Sequence, residues 1–190
     1  MTDAPRCTRQ PDGNAALAAA AISALVPELH TDRLALRAPR VTDLGAWTAI
    51  LAEAPFELGP EEAWTAFCTY AAGWLLHGHG LWAVERRADE TLIGFVHLGL
   101  EWEDIEPELG WMFLPEHRGA GLATEAALAA RDHGLTALGA GSFVSYVAPE
   151  NFPSNRLAER IGGRRDPAAE AVLSGPAGER THVWRHGGVA

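Results

Sequence analysis

The first clear alternation along the chain falls at Leu34, Leu36 and Ala38, with Arg33, Ala35 and Arg37 between them. A period of two predicts a strand with one buried face, and Pro39 ends it. The spacing then lengthens. Leu44, Trp47, Ile50 and Leu51 recur at helical intervals behind Thr42 or Asp43, either of which suits a helix cap. Pro60, Glu61 and Glu62 open a second helix, where proline fits the first turn and acids suit the positive end of the dipole. Its apolar face runs through Trp64, Phe67, Ala71, Trp74 and Leu75, and Gly78 and Gly80 stop it. Residues 81–86 and 92–100 read as a hairpin around the polar turn 87–90. An acidic loop leads to a strand over 108–114, ended by Pro115. A helix is predicted from about 121 to 133, a strand over 142–148, and a helix over 151–161 stopped by Gly162 and Gly163. Two short strands near 169–174 and 180–186 close the pattern, with their turn at 175–178. The order β α α β β β α β α β β predicts a mixed sheet with helices on its faces, an α/β or α+β domain.

Residues 1–27 precede this pattern and read as an Ala-rich extension; residues 28–190 form one domain. The apolar run 15–26 has the length of a signal-peptide core. Asp3 and Asp12 stand before it beside Arg6 and Arg9, and no cleavage site follows, so a short helix or loose extension is expected. The chain's 190 residues suffice for a sizeable core. Its two cysteines, Cys7 and Cys68, make no disulfide framework and flank no CxxC or histidine. A reducing, cytoplasmic compartment and no metal are therefore expected. A net charge of −10 argues against a nucleic-acid partner, yet raises the local concentration of a cationic amine. No segment is long and apolar enough to span a membrane.

The chemistry concentrates in Glu108-Leu-Gly-Trp-Met-Phe-Leu-Pro-Glu-His-Arg118-Gly-Ala-Gly-Leu-Ala-Thr-Glu125. A strand ends in a Gly-containing loop that opens a helix. The N–H groups of Gly119, Ala120, Gly121, Leu122 and Ala123 lie in or before the first turn, without helical partners. They form a cradle for a pyrophosphate that needs no lysine. No Lys-Ser or Lys-Thr follows, so this is no Walker A loop, and two glycines do not make a GxGxxG fingerprint. Taken alone, the loop reads equally as an ordinary Gly turn.

Arg118-x-x-Gly121-x-Ala123 resembles the coenzyme A pyrophosphate motif of the GNAT superfamily, Q/R-x-x-G-x-G/A. The wider pattern is similar to the ribosomal-protein N-terminal acetyltransferase (RimJ/RimL-like) branch. His30-Thr-Asp-Arg-Leu-Ala-Leu-Arg-Ala-Pro39 resembles its first strand, Ile93-Gly-Phe-Val-His-Leu its third, and Glu108-Leu-Gly-Trp111 the start of its fourth. Pro149-Glu-Asn151-Phe-Pro-Ser154-Asn-Arg-Leu157 resembles its strand-to-helix segment. The blocks occur in family order from about residue 28 onward. The resemblance implies a GNAT fold whose fourth strand splays from the fifth, and an enzyme that moves acetyl from acetyl-CoA to an amine. The acceptor is a protein N-terminus or a small molecule.

The resemblance also implies roles. The backbone of Met112, Phe113 and Leu114 pairs with pantetheine, and one of these N–H groups stabilises the oxyanion. Asn151 hydrogen-bonds the pantetheine arm or caps its helix. An acceptor amine, with a reference pKa of about 8 to 10.4, arrives protonated, and Glu108 is the candidate base, against the alternative of an ordinary ion-paired carboxylate. Many members carry a proton-donating Tyr where this chain has Ala158. Ser154 is the substitute donor, or a helix cap. Gly110 marks a bulge, a close backbone approach or simple packing. The acidic loop 101–108 either rims the acceptor pocket or is merely solvated, the commoner case for a charge run. Trp102 and Trp111 are candidate pocket walls, and His97 is a weaker candidate for the acceptor site. Without the Tyr, a sensor or partner subunit that binds acetyl-CoA without turnover stays an alternative. Assembly as a homodimer is compatible with all of this.

Overall fold

A computed structural model of the chain describes residues 5–53, 58–102, 104–173 and 181–187. Helix α1 (Gly13–Ser23) buries none of its residues. Strands β1 (Leu29–His30) and β2 (Leu34–Arg37) form a small hairpin. Helices α2 (Leu44–Leu51) and α3 (Pro60–His77) follow, then β3 (Leu81–Arg86), β4 (Thr91–Gly99) and β5 (Glu108–Phe113). Helix α4 (Leu122–Thr136) leads to β6 (Ser142–Val147), α5 (Phe152–Arg160), β7 (Arg164–Arg165), α6 (Pro167–Leu173) and β8 (His182–Gly187).

The sheet has 8 strands in the order β1-β2-β3-β4-β5-β6-β8-β7. Every neighbouring pair is antiparallel except β5 and β6. That parallel pair touches at one register position, Glu108 opposite Val144, and then splays. The period-two pattern makes a two-sided core, because successive side chains point to opposite faces. One face carries Trp82, Val84, Val96, Leu98 and Leu109 and packs under α4. The other carries Leu81, Ala83 and Phe95 and packs under Trp47 of α2 and Phe67 of α3.

Local signals explain most elements. Helix α3 ends at Gly78, whose φ of 74° is left-handed. Three expectations need correction. First, β2 is covered on both faces. Arg37 is buried because its guanidinium pairs with Asp43 at 2.8 Å and Glu85 at 2.5 Å. Second, Leu75 on α3 is exposed. Third, residues 167–173 are helical, not the first strand of a hairpin. Asp166 Oδ1 accepts the Ala169 N–H at 3.0 Å, Pro167 stands at the first helical position, and the Ala-Ala-Glu-Ala run favours helix. Strand β8 instead pairs with β6 and β7. The turn expected at 175–178 lies outside the described residues.

Candidate active site

Strand β5 begins where the sheet opens. Its even-numbered residues face β4: the Leu114 N–H donates to Ile93 O at 3.0 Å. Alternation along an antiparallel pair then turns the N–H and C=O groups of Leu109, Trp111 and Phe113 toward the splay. Two of those carbonyls have partners. Ser145 Oγ donates to Leu109 O at 2.5 Å, and Arg118 Nε donates to Phe113 O at 2.8 Å. Of the backbone positions expected to face a pantetheine arm, Leu114 and Met112 are turned to β4, while Phe113 faces the splay. Trp111 joins it, a position that a motif read residue by residue misses.

A cleft of about 200 Å³ lies in the splay. Glu108, Gly110 and Trp111 line it from β5, and Ser145, Asn151 and Ser154 from the other side. Trp111 Nε1 donates to Ser154 Oγ at 3.2 Å, which leaves the hydroxyl proton of Ser154 free for a second partner. Ser154 does not cap α5. That role belongs to Asn151, whose Oδ1 accepts the Ser154 N–H at 3.2 Å. Ala158 is fully buried and does not reach the cleft. Gly110 sits in unbroken register opposite His97, so it marks no bulge.

The Glu108 carboxyl is pushed up to about 8, first by burial and then by the charges of Glu101 and Asp104; the Tyr146 backbone N–H pulls the other way. Desolvation and like charge both disfavour the ionised form. The acidic loop therefore does more than sit in solvent. The Tyr70 hydroxyl donates to Glu101, and Tyr70, His97 and Glu101 border both this cleft and a groove of about 1240 Å³ beside α3. Tyr70 carries no sequence signal beyond its place on the apolar face of α3. Trp111 lines the cleft as expected, while Trp102 is exposed on the rim of the groove.

At the other end of β5, Gly121 takes a φ of 76° and precedes the first turn of α4. Gly119 has a φ of 82°, and a Cβ there would meet nothing within 4 Å. The glycines are required by backbone conformation, and they leave the loop open to a ligand. The first-turn N–H groups after Gly121 have no helical acceptors. This fits a pyrophosphate. Arg118 does not point over the loop: besides Phe113 O it pairs with Glu53 at 2.9 Å, tying the end of β5 to the end of α2. The cation beside the loop is Arg33, which donates to Ala120 O at 3.1 Å and pairs with Glu125 at 2.6 Å.

The Acetyltransferase (GNAT) domain family matches residues 33–164. The chain belongs to the GNAT acetyltransferase family. An acetyltransferase from Agrobacterium tumefaciens is 33% identical, the match covering 86% of this chain and 95% of that one, and superposes with a TM-score of 0.76. RimJ from Mycobacterium smegmatis, in complex with CoA-disulfide, shares the GNAT fold at 21% identity and a TM-score of 0.61, covering 84% of this chain and 85% of its own. Among Bacillus subtilis proteins, the uncharacterized N-acetyltransferase YnaD is 32% identical over 80 residues, 42% of this chain and 47% of YnaD. A second, YoaA, is 29% identical over 153 residues, 75% of this chain and 85% of YoaA. Among the described residues no helix is long and apolar enough to cross a membrane, and no group of three or more His, Cys, Asp or Glu is placed to hold a metal ion.

Proposed function

We propose that this GNAT chain is an acetyl-CoA-dependent N-acetyltransferase of the RimJ/RimL-like kind, acting on a primary amine by direct attack. The observation that carries the reading is the join of three features along one strand. The glycine loop that opens α4 follows β5, the splay opens beside it, and a carboxyl group with a raised pKa stands at its start. Bound acetyl-CoA supplies an activated acetyl thioester.

The chain's residues do the rest. Gly119 to Ala123 present backbone N–H groups to the pyrophosphate, and Arg33 adds a nearby positive charge. Trp111 and Phe113 turn backbone N–H groups into the splay, where charge on a carbonyl oxygen is stabilised. Glu108 takes the proton from the incoming ammonium; a carboxylate poised near 8 is a far stronger base than an ordinary one. Ser154, already accepting from Trp111, keeps its own proton available for the departing thiolate. Spermidine N-acetyltransferase from Vibrio cholerae shares the fold at 23% identity and a TM-score of 0.59, which is in keeping with an amine acceptor.

Calorimetric titration with acetyl-CoA, followed by a thiol-release screen over amines and N-terminal peptides, tests this. Binding with release supports the transferase. Binding without release favours a sensor that holds acetyl-CoA, and no binding overturns the reading.

A further inference from the structure

The two cavities meet at a histidine that the mechanism above does not use. His97 is 5% exposed, its ring makes no hydrogen bond among the described residues, and it borders both the cleft and the groove. Its place follows from strand register. His97 stands opposite Gly110 and Glu108 opposite Gly99. Directly opposed residues share a face, so His97 and Glu108 are diagonal neighbours on one face, about 7–8 Å apart at the backbone. Both other corners of that square are glycines. The ring leans across one of them: a methyl on Gly99 would strike His97 Nε2 at 2.5 Å. At the other corner a methyl on Gly110 would meet only Glu108, with Oε1 at 3.9 Å. The result is a hollow between imidazole and carboxyl. Tyr70 holds the ring edge-on at 4.5 Å and an interplanar angle of 84°, and is itself anchored to Glu101.

We propose that His97 positions the acceptor: its imidazole takes a hydrogen bond from the incoming primary amine, whose partly apolar body lies in the groove of about 1240 Å³ behind it. The inference rests on the transferase reading of the same site. Burial and the neighbouring His79 pull the imidazole down to about 3, so it stays neutral and keeps an acceptor lone pair at working pH. A further carboxylate in its place would hold the amine as ammonium, because an adjacent negative charge favours the charged form. A neutral acceptor orients the amine without opposing proton loss to Glu108. The groove sets the class of body. It offers exposed Leu76, Leu100 and Trp102 as apolar surface and Glu61 and Glu101 as negative charge. Its volume is above the usual range for small-ligand sites, far more than a simple alkylamine fills. The shared chemistry is a primary amine on an aromatic or aliphatic body, carried by a small molecule or by a peptide N-terminus.

The test is titration of the full chain, saturated with coenzyme A, using tryptamine, the dipeptide amide Ala-Trp and ethylamine as probes. Wild type is expected to bind tryptamine or Ala-Trp amide at least tenfold more tightly than ethylamine, and the preferred probe of the two names the source. His97→Leu is expected to weaken that binding about tenfold, the loss of one buried hydrogen bond, with coenzyme A affinity unchanged. His97→Gln, which retains an acceptor, should recover most of it. In turnover His97→Leu should raise the acceptor KM with little change in kcat or in the pH midpoint, and His97→Gln should stay near the wild-type KM. Should the Leu variant fail to fold by thermal denaturation, His97→Asn, too short to reach, takes its place. Equal acceptor affinity in wild type and the folded apolar or shortened variant overturns the role of His97. Ethylamine bound as well as the larger probes, or no probe bound, overturns the assignment of the groove. Absence of thiol release with intact, His97-dependent tryptamine binding would instead count against the transferase reading alone.

Discussion

Glu108→Gln keeps the size of the side chain and removes its titration. With the carboxyl at about 8, the ionised fraction rises from about one-tenth at pH 7 to about nine-tenths at pH 9. If Glu108 is the base, turnover climbs about tenfold over that range from this group alone. Glutamine should lower the rate by about 10²- to 10⁴-fold, the usual contribution of a positioned base, and abolish that part of the climb. The acceptor's own titration persists in the variant and serves as the internal control. Stability should move the opposite way. Between its ordinary 4.5 and about 8, the folded state holds a proton that the unfolded chain has released. Folded stability therefore falls as pH rises through that window and levels off above it. At about 1.4 kcal/mol for each tenfold change in the ionisation constant, the loss is at most about 5 kcal/mol. The Gln variant escapes it. Denaturant melts at pH 5 and pH 9, beside thiol-release rates at both, measure the two effects. A variant with wild-type rates across the range refutes the base assignment. One with no gain in relative stability at pH 9 refutes the buried, charge-crowded environment from which the raised value follows.

Glu101→Gln removes one of the like charges facing Glu108, so the alkaline midpoint of the pH–rate profile should move below that of wild type. Gly121→Ala forces a Cβ onto a φ of 76° and should cost about 1–2 kcal/mol in a denaturant melt; Gly121→Glu should in addition abolish acetyl-CoA binding by calorimetry, since a carboxylate would face the pyrophosphate. Asn151→Ala should cost about 1 kcal/mol, as loss of a helix cap. Ser154→Ala should slow thiol release while leaving the melt unchanged, because Asn151, not Ser154, caps α5.

Local patterns carry a large share of this protein. The strand alternation around Leu34, the polar hairpin turn at residues 87–90, the Gly stop at residue 78 and the loop from Arg118 to Ala123 are visible in sequence because each depends on neighbours a few residues away. The one helix misread as a strand, α6, also had a local signal in Asp166-Pro167, outweighed by its apolar run. Glu108 was legible as a candidate through its motif, but its raised pKa was not. That depends on Glu101, Asp104 and a low-dielectric wall, brought together only when β5 and the loop before it pack beside α3. Arg118 and Arg33 show the same limit. The motif points to Arg118, yet the Phe113 carbonyl and Glu53 claim its guanidinium, and Arg33, 87 residues before Ala120, takes the place beside the loop. Tyr70 and His97 join the site for a similar reason. A side chain's chemistry is written in the sequence, but its partners, its dielectric surroundings and the direction it faces are set by strand register and helix packing between distant segments, and those exist only in the folded chain.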